Sequence, residues 1–131
     1  MQRRNKSILC LSQDAVMLRV RQLVLEHFGY QVWPTNSVDR VAGIAVGKCP
    51  DMLLMDNGDP GVNLEELASR VKMLCPGLLA VVLSPFYAVH RSSRTPIDRF
   101  LAQDEAPDVL LANLEELFAS QSGGGASVSL T

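Results

Sequence analysis

Two short runs in this chain are almost wholly apolar: Met52-Leu53-Leu54-Met55, led by Asp51, and Leu78-Leu79-Ala80-Val81-Val82-Leu83. Brief unbroken runs of this kind read as strands covered on both faces, the pattern of a parallel sheet packed between helices. The first run stops at Asp56 and passes into Asn57-Gly58-Asp59-Pro60-Gly61, which is dense turn chemistry. Asp56 therefore stands at the carboxyl end of a buried strand. In open α/β sheets that rim is where ligands and chemistry collect. An aspartate that merely starts a turn is the plainer alternative, and the stretch alone supports both.

The rest of the chain alternates between strand-like and helical patterns. Lys6 to Leu11 reads as a first, central strand, closed by Ser12-Gln13-Asp14, with Asp14 as the N-cap of a helix from Ala15 to Phe28. Val16, Met17, Val20, Leu23, Val24 and Phe28 supply its apolar positions, with Arg19, Arg21, Gln22 and Glu26 between them, and Gly29 ends it. Tyr30 to Pro34 is a brief strand that Pro34 assigns to the sheet edge, with Trp33 packed there or half exposed. Ser37 caps a second helix, Val38 to about Gly47, which Lys48-Cys49-Pro50 breaks. After the Asp56 loop, Asn63 caps a third helix to about Leu74, with a stripe of Leu64, Leu67, Val71 and Leu74. Phe86 to Pro96 carries little pattern and reads as an irregular loop with a short helical turn. Ile97 to Ala102 is a fifth strand, and a last helix starts around Pro107 and continues to about Ala119. Residues 1–120 form one domain in this reading, and 121–131, rich in serine and glycine, a flexible tail.

At 131 residues, 47% hydrophobic and only 5% aromatic, the chain has enough aliphatic material for one core. A net charge of −2 with interspersed signs gives no case for nucleic acid, and no apolar run approaches a membrane span. Cys10, Cys49 and Cys75 lie in or beside apolar segments without metal-ligand spacing, so buried free thiols and a cytoplasmic location are expected. His27 and His90 have no partner at catalytic spacing, which offers no support for an enzyme.

Strand ends carrying Ser12-Gln13-Asp14, Asp56, Ser84 and Gln103 would converge on one rim of such a sheet. With Pro50-Asp51, Asp56, Pro60-Gly61, Gly29-Tyr30, Ser84 and Phe100, the stretch from Lys6 to about Ala119 resembles the receiver domain of two-component response regulators. The resemblance implies a doubly wound, flavodoxin-like five-stranded parallel sheet of order 2-1-3-4-5. By position it makes Asp56 the phospho-acceptor candidate, Gly58 a carbonyl donor to Mg2+, and Ser84 with Phe100 the switch pair.

The departures are specific. Ser12 and Gln13 occupy the places of the acidic pair that holds Mg2+ in that family, and Gln103 occupies the place of its lysine. Mg2+ favours anionic oxygens, which a hydroxyl and an amide do not supply, and phosphoryl transfer depends on charge neutralisation. Asp14, one position on, could reach inward as a replacement ligand, but the helix cap is its expected role. The expectation is a degenerate, stand-alone receiver, or pseudo-receiver, that acts through protein partners, a histidine kinase or a downstream signalling protein. It is not an enzyme, has no cofactor, and binds Mg2+ weakly or not at all. The alternative is a working receiver phosphorylated on Asp56 by a histidine kinase. A small-ligand flavodoxin-like domain is disfavoured, because no glycine-rich phosphate loop follows the first strand.

Overall fold

The structure is a computed structural model that describes residues 6–56, 61–84, 95–103 and 106–130, with side chains in the last segment described to Gln121. Five strands, β1 (Ser7–Leu11), β2 (Gln31–Thr35), β3 (Met52–Asp56), β4 (Leu79–Ser84) and β5 (Arg99–Ala102), alternate with helices α1 (Ala15–His27), α2 (Val38–Lys48), α3 (Leu64–Leu74) and α4 (Pro107–Leu130). All pairings are parallel and the order is β2-β1-β3-β4-β5, as expected.

Period-two alternation along the central strands divides the core into two layers. Ile8, Cys10, Met52, Leu54, Val81 and Leu83 face Leu25 of α1 and Leu110, Leu111, Leu114, Leu117 and Phe118 of α4. Leu9, Leu11, Leu53, Met55, Ala80 and Val82 face Val41 and Ala45 of α2 and Leu67, Ala68 and Val71 of α3. Because both faces are covered, β3 is buried at every position, and this is why its sequence is apolar without alternation.

Helix ends follow local chemistry. The Asp14 carboxylate accepts from the amides of Val16 and Met17, and Asn63 accepts from Glu66 N. Gly29, at φ 100°, closes α1: its amide donates to the Glu26 carbonyl and that of Tyr30 to the Leu25 carbonyl, a Schellman ending. Ser37 holds the N-cap position of α2, but its hydroxyl makes no capping bond. The Ser37 amide instead donates to Thr35 Oγ1.

The sequence reading needs correction in several places. In α1 the buried residues are Arg21 and Leu25, while Val16, Val20, Leu23 and Phe28 are exposed. The inward face is the stripe Leu18, Arg21, Leu25, offset from the most apolar one. Leu74, placed in the α3 stripe, is exposed. Cys49 is exposed, whereas Cys10 and Cys75 are buried free thiols. β5 begins at Arg99 rather than Ile97, although Ile97 is buried. Helix α4 runs to Leu130, past the end expected near Ala119. Trp33 is half-buried in the edge strand β2, with Lys48 Nζ 4.7 Å from its ring centroid. Most of the segment expected to be irregular, residues 86–94, and Gly58 with the turn around it lie outside the described residues.

Candidate functional site

Asp56 ends β3 two residues after Leu54, so its side chain projects to the α1–α4 side of the sheet. It is only 5% exposed, and a carboxylate so placed needs donors to replace water. Three side chains supply them. The Ser12 hydroxyl, at the end of β1, donates to Asp56 Oδ2 at 3.0 Å. Gln103 Nε2, just after β5, lies 3.0 Å from Oδ1 and 3.2 Å from Oδ2. Arg21 Nη1, from α1, donates to Oδ2 at 3.1 Å and forms a buried ion pair with it.

The strand ends thus bring Ser12, Asp56 and Gln103 together as sequence reasoning expected. The Ser12 hydroxyl also accepts from the Asp14 amide at 3.1 Å, which fixes its orientation toward Asp56. Gln13 is exposed, and Asp14 spends its carboxylate on the helix cap. Ser84 is buried at the end of β4, where its carbonyl accepts from the Gln103 amide at 2.7 Å and so helps to seat that side chain. Phe100 is half-buried against the opposite core layer, paired in register with Val82.

Arg21 is the residue that sequence reasoning missed. Its aliphatic stem crosses the core layer while its guanidinium reaches the rim, and the side chain is 5% exposed. Nη2, by contrast, is buried without a hydrogen-bond partner among the described residues. Beside it a cavity of about 70 Å³ lies between α1 and α4, lined by Val20, Val24, Leu110 and Gln103 among others. Two signals pointed to Arg21: its place between Leu18 and Leu25 at helical spacing, and the need of a buried Asp56 for a counter-charge.

The local electrostatics also reach Cys10 beneath the rim. Burial pushes its thiol up to about 12, opposed by the Arg21 charge and assisted by that of Asp56. Among the described residues no three His, Cys, Asp or Glu side chains gather as a metal site would require. Among the described residues the rim is therefore one carboxylate neutralised by a guanidinium and held by a hydroxyl and an amide.

No family model matches the chain, and no curated protein matches its sequence. Solved structures do. A CheY-like receiver domain protein from Methanospirillum hungatei superposes with a TM-score of 0.80 at 20% identity, covering 91% of this chain and 98% of the other. The response regulator TrrA from Thermotoga maritima, in complex with Mg2+-BeF, gives a TM-score of 0.74 at 17% identity over 86% and 98% of the two chains. A chemotaxis response regulator of Vibrio cholerae gives 0.74 at 15% identity over 85% and 97%. The chain has the fold of CheY-like response regulator receiver domains, over nearly its whole length.

Proposed function

We propose that this chain is a receiver-type signalling module that acts through protein–protein contacts and without Mg2+-dependent phosphorylation of Asp56. The observation that carries this reading is the Arg21–Asp56 ion pair. A receiver aspartate that accepts a phosphoryl group needs a free oxygen and a divalent cation beside it to neutralise charge. Here Oδ2 is already engaged by Ser12, Arg21 and Gln103, and Oδ1 by Gln103. The donor set does not fit Mg2+. Among the described residues one carboxylate faces the rim where several anionic oxygens are wanted, and the guanidinium paired with it opposes a second cation.

A partner surface is available on α1, where Val16, Val20 and Leu23 face outward from successive turns. The proposed partner is a protein, a histidine kinase or a downstream signalling component. The proposed location is the cytoplasm, and no enzymatic activity is assigned. No described helix is long and apolar enough to cross a membrane.

The test uses the full chain with Mg2+ and beryllofluoride, and separately with Mg2+ and acetyl phosphate. Thermal unfolding should be unchanged by beryllofluoride, and intact mass should show no added phosphoryl group. A saturable rise in melting temperature, or a phosphoryl adduct mapped to Asp56, would establish the working-receiver alternative instead.

A further inference from the structure

Cys49 and Cys75 stand at the carboxyl ends of α2 and α3, the two helices that share one face of the sheet. Both are anchored to one acceptor. The Ala45 carbonyl receives the Cys49 amide at 2.7 Å and the Cys75 thiol at 3.3 Å. Those two bonds hold the Cys75 sulfur no more than about 6 Å from the Cys49 nitrogen, close enough for a modest adjustment to bring the two side chains into disulfide geometry. Burial, and then the neighbouring Cys49 thiol, push the Cys75 thiol up to about 11.

The two thiols differ in access. Cys49 is exposed, whereas Cys75 is 2% exposed behind it. Cys49 also has φ 45°, and among the described residues it is the one non-glycine in the left-handed region. Glycine would hold that backbone with less strain. A side chain is present at this position despite the cost, and it is a thiol beside a second thiol.

We propose that Cys49 and Cys75 form a peroxide-responsive dithiol that closes reversibly into a disulfide across the ends of α2 and α3. In the first step the Cys49 thiolate attacks a hydroperoxide. The O–O bond breaks, an S–O bond forms, and the departing oxygen takes a proton, leaving Cys49 as a sulfenic acid. In the second, the Cys75 sulfur attacks the Cys49 sulfur. The S–S bond forms, the S–O bond breaks, and the leaving hydroxide takes the Cys75 proton as water. With hydrogen peroxide, two thiols are oxidised by two electrons and one peroxide is reduced to two waters. The solvent-facing thiol meets the oxidant, and the shielded one resolves it. The bond encloses β3, the Asp56 rim and α3, and fastens that segment at the end of the sheet opposite Asp56.

The test is a titration of the full chain with hydrogen peroxide, followed by alkylation and peptide mapping without reductant. The expected product is a monomer lighter by about 2 Da, with one Cys49–Cys75 cross-link that thiol reductant reverses. Cys10, buried on the other face with its thiol pushed up to about 12, should stay reduced and serve as an internal control. Cys75→Ser should leave a sulfenic acid on Cys49 that dimedone traps, and Cys49→Ser should give no disulfide. The proposal is overturned if native wild type accumulates sulfenic or sulfinic acid on Cys49 with Cys75 still free. It is equally overturned if the cross-link forms only after the chain is unfolded in urea.

Discussion

Replacing Arg21 by methionine isolates the charge at the rim, because methionine keeps much of the aliphatic stem and loses only the guanidinium. Two unit charges about 4 Å apart attract by roughly 4 kcal/mol at an effective dielectric of about 20. Stranding the buried partner of such a pair costs about 3–5 kcal/mol. Two features reduce that figure here. Ser12 and Gln103 still donate to the carboxylate at 3.0 Å. The substitution also removes Nη2, a buried donor without a partner among the described residues, and that relieves about 1 kcal/mol or more. The electrostatic loss exceeds both, and Arg21→Met should destabilise the chain by about 2–3 kcal/mol, equivalent to a fall in Tm of about 10 °C. Asp56→Asn should cost a similar amount, since it strands the guanidinium. The double variant should cost less than the two single costs together, with a coupling of about 2 kcal/mol. Urea unfolding followed by the fluorescence of Trp33, the single tryptophan, gives all four stabilities. A cost for Arg21→Met below about 0.5 kcal/mol, or a coupling near zero, would refute the view that Arg21 is the counter-charge of Asp56.

Further outcomes follow from the same rim and core. Installing Ser12→Asp, Gln13→Asp and Gln103→Lys should leave the chain unresponsive to Mg2+ and beryllofluoride until Arg21→Ala is added. A melting shift in the triple variant alone would mean that Arg21 swings aside. The Cys10 and Cys75 thiols stay protonated in the folded chain to about 12 and about 11, against an ordinary value of 9.0. Above pH 9 the unfolded chain therefore loses protons first, and stability should fall as pH rises until the folded values are reached. Below pH 9 these thiols give no slope, and denaturant titrations of wild type and Cys10→Ala at increasing pH would check the sign and the share. Leu114→Ala, at a fully buried position in α4, should cost about 2–5 kcal/mol, whereas Leu23→Ala on exposed α1 surface should stay within about 0.5 kcal/mol. Calorimetry on the two variants distinguishes them directly.

The fold was legible because β3 and β4 are covered on both faces, and only such strands carry uninterrupted apolar runs like those ending at Asp56 and Ser84. Ser12, Asp56 and Gln103 were legible for a related reason, since parallel strands place their carboxyl ends on one rim. Arg21 was not. On α1 the most apolar stripe, Val16, Val20 and Leu23, faces solvent, while the buried stripe contains a charge. A periodicity argument ranks faces by hydrophobicity, so it turned the helix to the wrong side. What decided the orientation was a long-range electrostatic need across 35 residues of sequence, which no local window contains. Cys49 was misplaced for a different reason: its apolar neighbours suggested burial, but it is the left-handed cap residue of α2, and it is exposed there.

Pro34 lies in β2, the outermost strand on its side, and is paired in register with Cys10. The Gln31 amide donates inward to the Lys6 carbonyl, and the Thr35 carbonyl accepts inward from the Ser12 amide. In a parallel strand the donors and acceptors of one residue share a side and alternate along the chain. Gln31, Trp33 and Thr35 therefore address β1, and Val32 and Pro34 address the space beyond the sheet. The one ring that cannot donate falls on the side where a sixth strand would have to dock. A neighbouring chain seeking to extend the sheet there meets a gap in the ladder, which disfavours growth by edge pairing. Association by this molecule is thereby steered away from its β2 edge.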